Sequence, residues 1–210
     1  MRVLSHRGLW EHPAEKNAAV AFQRSFERGF GTETDIRDAG GRLVVSHDVP
    51  RGGEPTLQAL LHWHREAPEA ARLPLALNIK ADGLAPDVAQ AMAGHTGEWF
   101  AFDMAVPDMR AWLALGLPVY TRMSEVEREP CWLERCAGVW LDAFEGVWYD
   151  TAEVERCLSS RRAVCVVSED LHRREVQAQW RLLKPFAGHP SLSICTDRPD
   201  EARAFFGGRP

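Results

Sequence analysis

The sequence contains little lysine and no dense run of basic residues. Lys16, Lys80 and Lys184 are its only lysines, against 22 arginines, and the formal net charge over 210 residues is -5. A protein without a basic face is poorly suited to follow a phosphate backbone or to bind an anionic bilayer. We therefore expect no nucleic-acid partner and a small molecule as the ligand.

Long apolar runs and paired cysteines are also missing. No segment approaches the roughly 20 apolar residues of a spanning helix, and the first residues lack the apolar stretch of a secretory signal. We therefore expect a cytoplasmic protein without stable membrane insertion. The cysteines show no C-x-x-C spacing, which disfavours a zinc knuckle or a disulfide framework and predicts reduced, mostly buried thiols. They are Cys131, Cys136, Cys157, Cys165 and Cys195. The sequence leaves the oligomeric state open.

Short, nearly continuous apolar runs alternate with amphipathic helical patterns along the chain. Continuous apolar strands are typical of a parallel sheet that is covered on both faces. The predicted strands are Val3–Ser5, Gly31–Ile36, Leu43–Ser46, Leu75–Lys80, Trp99–Phe102, Pro118–Thr121, Gly138–Leu141, Ala163–Val167 and Leu192–Cys195. The predicted helices are Ala18–Arg28, Thr56–Arg65, Ala85–Ala93, Pro107–Leu115, Thr151–Leu158, Arg173–Leu183 and Pro199–Phe206.

This alternation predicts an α/β fold. If Leu43–Ser46 is the return arm of a hairpin through Asp38–Gly41, eight strand positions are left, each in a unit of about 26 residues. We therefore predict a compact (β/α)₈ TIM barrel as a single domain over residues 1–210. A doubly wound open sheet would fit the same alternation, but no G-x-G-x-x-G or G-x-x-x-x-G-K-[ST] phosphate loop follows the first strand.

Two carboxylates lie on the second predicted strand. Glu33 and Asp35 are two residues apart and so share one face, and Asn78 and Lys80 share a face of a later strand. Carboxylate and amide oxygens are the ligands that Mg²⁺ or Ca²⁺ takes, so this group predicts a divalent cation. An ion pair of Lys80 with Glu33 or Asp35 is the alternative, and the residues alone do not separate the two.

Titratable and cationic residues close the neighbouring strands. His6 and His47 follow strand ends, and imidazoles titrating near pH 6.5 can divide general-base and general-acid work between them. Arg7 and Lys80 supply positive charge for an anionic substrate. Asn17 precedes a helical pattern and is read as its N-cap in preference to a substrate contact. Later strand ends carry three further candidates for the substrate pocket, Arg122, Trp140 and Asp142.

Six short motifs occur in a characteristic order. They are H-R-G at His6–Gly8, N-x-x-x-A-F at Asn17–Phe22, E-x-D at Glu33–Asp35, H-D at His47–Asp48, L-x-L-N-I-K at Leu75–Lys80 and T-D-R-P at Thr196–Pro199. In these stretches the chain resembles the glycerophosphodiester phosphodiesterase family, which belongs with the phosphatidylinositol-specific phospholipase C-like barrels. The match is dense over the first 80 residues and returns at the C-terminus.

The resemblance implies a metal-dependent phosphoric diester hydrolase of lipid metabolism. Its substrate would be a small glycerophosphodiester or a sugar or polyol phosphodiester. His6 and His47 would be the acid–base pair, Glu33 and Asp35 would hold Mg²⁺ or Ca²⁺, and two cations, Arg7 and Lys80, would face the phosphate.

The chain departs from the family pattern at three points. The first is Glu15–Ala18, where the family usually has P-E-N-T. The family usually has a glutamate where this chain has Asn78, so we expect the amide oxygen to coordinate and the metal to bind more loosely. The inserted subdomain that usually follows the H-D motif is missing, since only Val49–Leu73 separate that motif from the next strand. Two alternatives stay open: a lyase that releases a cyclic phosphate, and a metal-poor barrel that binds a phosphorylated ligand without turnover.

Overall fold

A computed structural model of the protein describes residues 1–67, 72–160 and 162–207. Within these residues nine strands and seven α-helices follow one another along the chain. The strands are β1 (Arg2–His6), β2 (Gly31–Ala39), β3 (Arg42–Val45), β4 (Leu75–Ile79), β5 (Trp99–Phe102), β6 (Tyr120–Met123), β7 (Gly138–Leu141), β8 (Ala163–Val167) and β9 (Leu192–Thr196). The helices are α1 (Ala19–Glu27), α2 (Leu57–Glu66), α3 (Ala85–Met92), α4 (Val106–Ala114), α5 (Thr151–Ser159), α6 (Gln177–Leu183) and α7 (Pro199–Phe206).

Contacts within the chain group it into two compact units. The first, His6–Val119, contains β2, β4 and β5 as parallel neighbours, with β3 antiparallel to β2. The β2–β3 hairpin confirms the predicted return arm. Its turn consists of Gly40 and Gly41, both at positive φ (56° and 75°), the conformation that a tight two-residue hairpin turn requires and that glycine adopts without strain.

The second unit comprises Met1–Ser5 with Tyr120–Pro210. Here β1 pairs with β9, β9 with β8, β8 with β7 and β7 with β6, all in parallel. The two units together supply eight parallel strands that alternate with helices, and this composition confirms the (β/α)₈ fold class. After β6 the place of the α-helix is taken by a 3₁₀ turn, Leu133–Arg135. The single domain over residues 1–210 stays a prediction.

Burial explains why the strands have nearly continuous apolar sequences. All five residues of β4 and of β9 are buried, so both faces of these strands are covered. β2 is different because four polar residues in its buried part, Thr32–Asp35, are at most 2% exposed. Polar groups buried in this way need partners, and these partners define the site described below.

Some boundaries differ from the sequence prediction. α6 begins at Gln177 rather than at Arg173, because Arg173 adopts a left-handed conformation (φ 60°) and Arg174 turns back to bind Glu169. β6 ends at Met123, so Arg122 lies inside the strand and not after it.

No disulfide joins the five cysteines, all of which are among the described residues. Four are buried and Cys131 is exposed, which confirms the prediction of mostly buried thiols. Among the described residues, no helix combines the length and the apolar character that a membrane crossing demands.

Candidate functional site

The polar cluster of the first unit is built around Asp35 on β2. The Asp35 side chain is fully buried, and its Oδ2 lies 2.8 Å from Nε of Arg7. Its Oδ1 lies 3.6 Å from Nζ of Lys80, the residue that follows β4. Asp35 therefore has a positive charge beside each carboxylate oxygen. The Lys80 contact is the ion pair that the sequence analysis left open as an alternative.

Glu33 lies two residues earlier on β2 and is 2% exposed. Burial, and after it the nearby charge of Asp35, raises the pKa of Glu33 to about 7, while His6, Arg7 and Lys80 oppose that increase. Nε2 of His6 lies 3.9 Å from Oε2 of Glu33. His6, one of the two histidines that the sequence predicts as acid–base groups, is therefore next to a buried carboxyl whose negative charge is only partly compensated.

Three oxygen atoms of this cluster are buried without a hydrogen-bond partner in the described part of the chain: Glu33 Oε2, Asp35 Oδ1 and Asn78 Oδ1. Asn78 lies on β4 directly opposite Asp35 in the parallel register. Leaving a buried polar atom unpaired costs free energy, and native proteins rarely leave three together. The atoms belong to the three residues that the sequence analysis assigned to a cation.

The donor set fits a hard divalent cation. Mg²⁺ and Ca²⁺ take oxygen ligands from carboxylates and side-chain amides, and all three unpartnered atoms are of these kinds. The described residues contain no group of three or more His, Cys, Asp or Glu side chains arranged for a metal ion. Here the third oxygen comes from an amide, Asn78, so the set carries two carboxylates and not three.

The loop after β1 is held against β2 by its backbone. Arg7 N–H donates to Glu33 O (2.9 Å) and Asn17 N–H donates to Arg7 O (3.0 Å). Arg7 and Asn17 both have φ 60°, and Gly8 has φ 85°. A Cβ at Gly8 would come within 2.7 Å of the Ala21 backbone, which explains the glycine of the H-R-G motif.

Asn17 is not the N-cap of α1, contrary to the sequence prediction. The N-cap is Ala18, which offers no side-chain cap, while the Asn17 carboxamide binds Thr34 and Asp35 on β2. The sequence offered one indication of this role, since asparagine is among the few residues that tolerate a left-handed backbone.

His47 lines a cavity of about 460 Å³. The cavity is also lined by Arg7, Asn17, Asp48 and Glu54, so Arg7 joins it to the Asp35 cluster. Nδ1 of His47 lies 2.8 Å from Oδ1 of Asp48, and the imidazole is half-exposed. The volume falls in the range of small-ligand sites, roughly 300–1,000 Å³.

The remaining sequence candidates lie in the second unit. Arg122 pairs with Glu127 and stacks over Phe144, and Trp140 is buried in β7. Asp142 is 7% exposed and accepts hydrogen bonds from Ala143 N–H and, at 2.8 Å, from His172 Nε2. The sequence analysis did not identify the contact of Asp142 with His172, because the two residues lie 30 positions apart in the chain. A role of Arg122, Trp140 and Asp142 in a substrate pocket stays a prediction.

No protein-family model matches the sequence, and a search of curated proteins gives no match. Solved structures do resemble the chain. A glycerophosphodiester phosphodiesterase from Parabacteroides distasonis ATCC 8503 is 18% identical with a TM-score of 0.69, covering 99% of this chain and 97% of that chain. An Oleispira antarctica phosphodiesterase in complex with its product sn-glycerol-3-phosphate is 16% identical with a TM-score of 0.72, covering 99% and 97%.

A more distant likeness is to a Ca²⁺-dependent phosphatidylinositol-specific phospholipase C from Streptomyces antibioticus. It is 12% identical with a TM-score of 0.57, covering 98% of this chain and 95% of that chain. At these identities the comparisons establish a shared fold: this chain has the fold of the glycerophosphodiester phosphodiesterases over nearly its whole length.

Proposed function

We propose that the protein is a divalent-metal-dependent phosphodiesterase that cleaves a small glycerophosphodiester or a related polyol phosphodiester. The observation that carries this proposal is the trio of unpartnered buried oxygens on Glu33, Asp35 and Asn78, next to Arg7 and Lys80. The three oxygens would bind a cation, and the two positively charged side chains would bind a phosphate. The fold shared with solved phosphodiesterases supports the same reaction class, and we propose turnover of lipid head groups in the cytoplasm as its setting.

The cation would be held by Glu33, Asp35 and the Asn78 amide oxygen. Bound there, Mg²⁺ or Ca²⁺ supplies Lewis-acid polarisation of a phosphoryl oxygen and lowers the pKa of a hydroxyl group. Arg7 and Lys80 orient the phosphate and stabilise the charge that develops on its oxygens.

His6 and His47 divide the proton transfers. One takes the proton of the attacking hydroxyl, supplied by water or by the substrate's neighbouring OH, and the other protonates the leaving oxygen. In His47 the Asp48 carboxylate engages Nδ1, so Nε2 is the nitrogen that exchanges protons with the substrate. Nε2 of His6 lies 3.9 Å from Oε2 of Glu33, which places this imidazole beside the proposed cation ligands.

A panel of glycerophosphodiesters followed by phosphorus NMR, with and without chelator, tests this proposal. We expect a phosphomonoester product that requires added Mg²⁺ or Ca²⁺, and a cyclic phosphate would instead identify a lyase. His6→Gln and His47→Gln should each lose at least about 100-fold in rate while staying folded, since a general acid or base contributes roughly 10²–10⁴-fold. His62→Gln, on the exposed face of α2, is the matched control. Near-normal turnover in either site variant would remove that histidine from the mechanism.

The ion pairs of Asp35 with Arg7 and Lys80 favour a second candidate function. Arg7 and Lys80 already neutralise this carboxylate without a cation, as expected of a barrel that binds a phosphorylated ligand and does not turn it over. Binding of glycerol phosphate that resists chelator, together with no cleavage of any diester, would favour this second function over the first.

A further inference from the structure

Asn17 has no role in the reaction described above, yet it is tied to the centre of the site. Its Nδ2 lies 2.8 Å from Asp35 Oδ2, its Oδ1 lies 2.9 Å from Thr34 Oγ1, and both partners are fully buried. Its backbone N–H is fixed to the Arg7 carbonyl. One short side chain thus connects the loop that carries Arg7 to two successive residues of β2.

The chemistry of the partners fixes the orientation of the carboxamide. An ionised carboxylate only accepts hydrogen bonds, so the Asn17 amino group must face Asp35. The Asn17 carbonyl oxygen then faces Thr34, whose hydroxyl donates to it. A carboxamide turned by 180° would place an oxygen against the carboxylate, so the contact with Asp35 sets the orientation. The Thr34 hydroxyl, which can donate or accept, then holds the carboxamide in place by donating to Asn17 Oδ1.

This orientation makes the two oxygens of Asp35 unequal. Oδ2 receives the Asn17 amino group at 2.8 Å and has Arg7 Nε at the same distance. Among the described residues, Oδ1 has only the longer contact with Lys80, at 3.6 Å, and no hydrogen bond. The carboxylate is therefore held through Oδ2, with Oδ1 left as its available acceptor.

We propose that Asn17 is a positioning residue, which locks the Asp35 carboxylate so that Oδ1 is presented to the divalent cation, and that Thr34 acts through Asn17 by fixing its amide. The inference rests on the proposed function for the identity of the cation site. It predicts that Asn17 and Thr34 influence cation affinity although neither contributes a ligand.

The chain offers well-matched variants for the test. Asn17→Gly removes the carboxamide and still adopts φ 60° without strain, whereas alanine would add a backbone penalty. Thr34→Val removes only the hydroxyl. Thr32→Val is the control, because Thr32 is equally buried on the same strand and its hydroxyl is 3.4 Å from the Ser25 hydroxyl instead of the site.

We would measure Mg²⁺ and Ca²⁺ affinity by calorimetry, kcat and KM, and hydrogen exchange of the Asn17 side-chain amide by NMR. We expect slow exchange in the wild-type protein and faster exchange in Thr34→Val. The cation Kd should rise about tenfold in Asn17→Gly and less in Thr34→Val, because the ligand set is intact but no longer held. At saturating cation most of the loss should appear in kcat and not in KM. The double variant should match Asn17→Gly alone, since Thr34 acts only through Asn17.

Three results would overturn the inference: fast exchange of the wild-type Asn17 amide, an unchanged cation Kd in a folded Asn17→Gly protein, or independent, additive effects of the two substitutions. A merely structural role would lower the urea midpoint and leave Kd unchanged, as expected for Thr32→Val. If the wild-type protein binds no cation and cleaves no diester, the proposed function fails. The amide-exchange measurement then still decides whether Asn17 holds Asp35.

Discussion

Replacing Asn78 with aspartate isolates the charge of the cation site, because the two side chains have nearly the same shape. Asn78 is 8% exposed, it faces Asp35 across the β2–β4 pair, and its Oδ1 has no hydrogen-bond partner in the part of the chain that the structure describes. The variant adds a third carboxylate to a cluster in which the pKa of Glu33 is already raised to about 7 by burial and by Asp35. Without a cation, the added charge should destabilise the fold.

The expected size follows from the strand spacing. Neighbouring strands lie about 4.8 Å apart, and two like charges about 5 Å apart repel by about 3 kcal/mol at an effective dielectric constant of 20. Arg7 and Lys80 offset part of this repulsion, while Glu33 adds to it. We therefore expect Asn78→Asp to lower the free energy of unfolding by about 2–3 kcal/mol in the presence of chelator.

Urea unfolding above the pKa of Glu33, with chelator and with saturating Mg²⁺ or Ca²⁺, measures this effect. At a fixed saturating cation concentration each protein is stabilised by RT ln(1 + [cation]/Kd), so the variant gains more than the wild type only because its Kd is lower. A Kd about 100-fold lower in Asn78→Asp would remove about 2.7 kcal/mol, which is most of the deficit. The control is Gln179→Glu, which places a charge at a second buried amide that, unlike Asn78, has a hydrogen-bond partner for its oxygen. It should be destabilised equally with and without cation.

Equal deficits of Asn78→Asp in chelator and in cation would refute this reasoning. That result would mean that the third oxygen is not part of a cation site and that the ion pairs of Asp35 with Arg7 and Lys80 are the whole of its charge compensation.

Three further predictions concern single side chains. Asp48→Asn should lower kcat more than it raises KM, because Nδ1 of His47 loses the partner that orients the imidazole; an unchanged kcat would contradict this. Burial lowers the pKa of His64, so the folded state binds fewer protons than the unfolded chain, and stability should be complete above about pH 6.5 and fall as the pH decreases below it. Urea titrations should show a weaker fall in His64→Gln, with exposed His62→Gln as control, and parallel curves would contradict the assignment. Thiol titration of the native protein should modify Cys131 first, and the buried thiols only on unfolding; rapid reaction of several thiols would contradict their burial.

The sequence was most informative where one local pattern determines the structure. Strands β5, β7 and β8 begin and end at the predicted residues, because a run of apolar residues buried on both faces has few alternatives to a parallel strand. The hairpin after β2 was visible because two consecutive glycines permit a turn with positive φ.

Distant partners explain what the sequence did not reveal. Asn17 has the position of an N-cap, but Thr34 and Asp35, 17 and 18 residues further along, bind its side chain instead. The Asp142–His172 contact joins residues 30 apart and has no motif. In both cases the tertiary fold pairs polar side chains that are distant in sequence. Rules of periodicity and capping do not describe such pairs.

The charges of the cluster suggest why an amide is compatible with catalysis at Asn78. Glu33 and Asp35 carry two negative charges when ionised, and Arg7 and Lys80 carry two positive charges, so the protein groups sum to zero. With a divalent cation and a phosphodiester of charge -1 the site is at +1, and it approaches neutrality as negative charge develops on the phosphoryl oxygens toward the transition state. A third carboxylate would shift both values by -1, which strengthens cation binding but makes the transition state less well compensated. Stabilisation that exists only in the transition state accelerates the reaction, whereas tighter binding of the cation alone does not. Asn78→Asp should therefore separate the two properties, with a lower Kd for the cation and no gain in kcat.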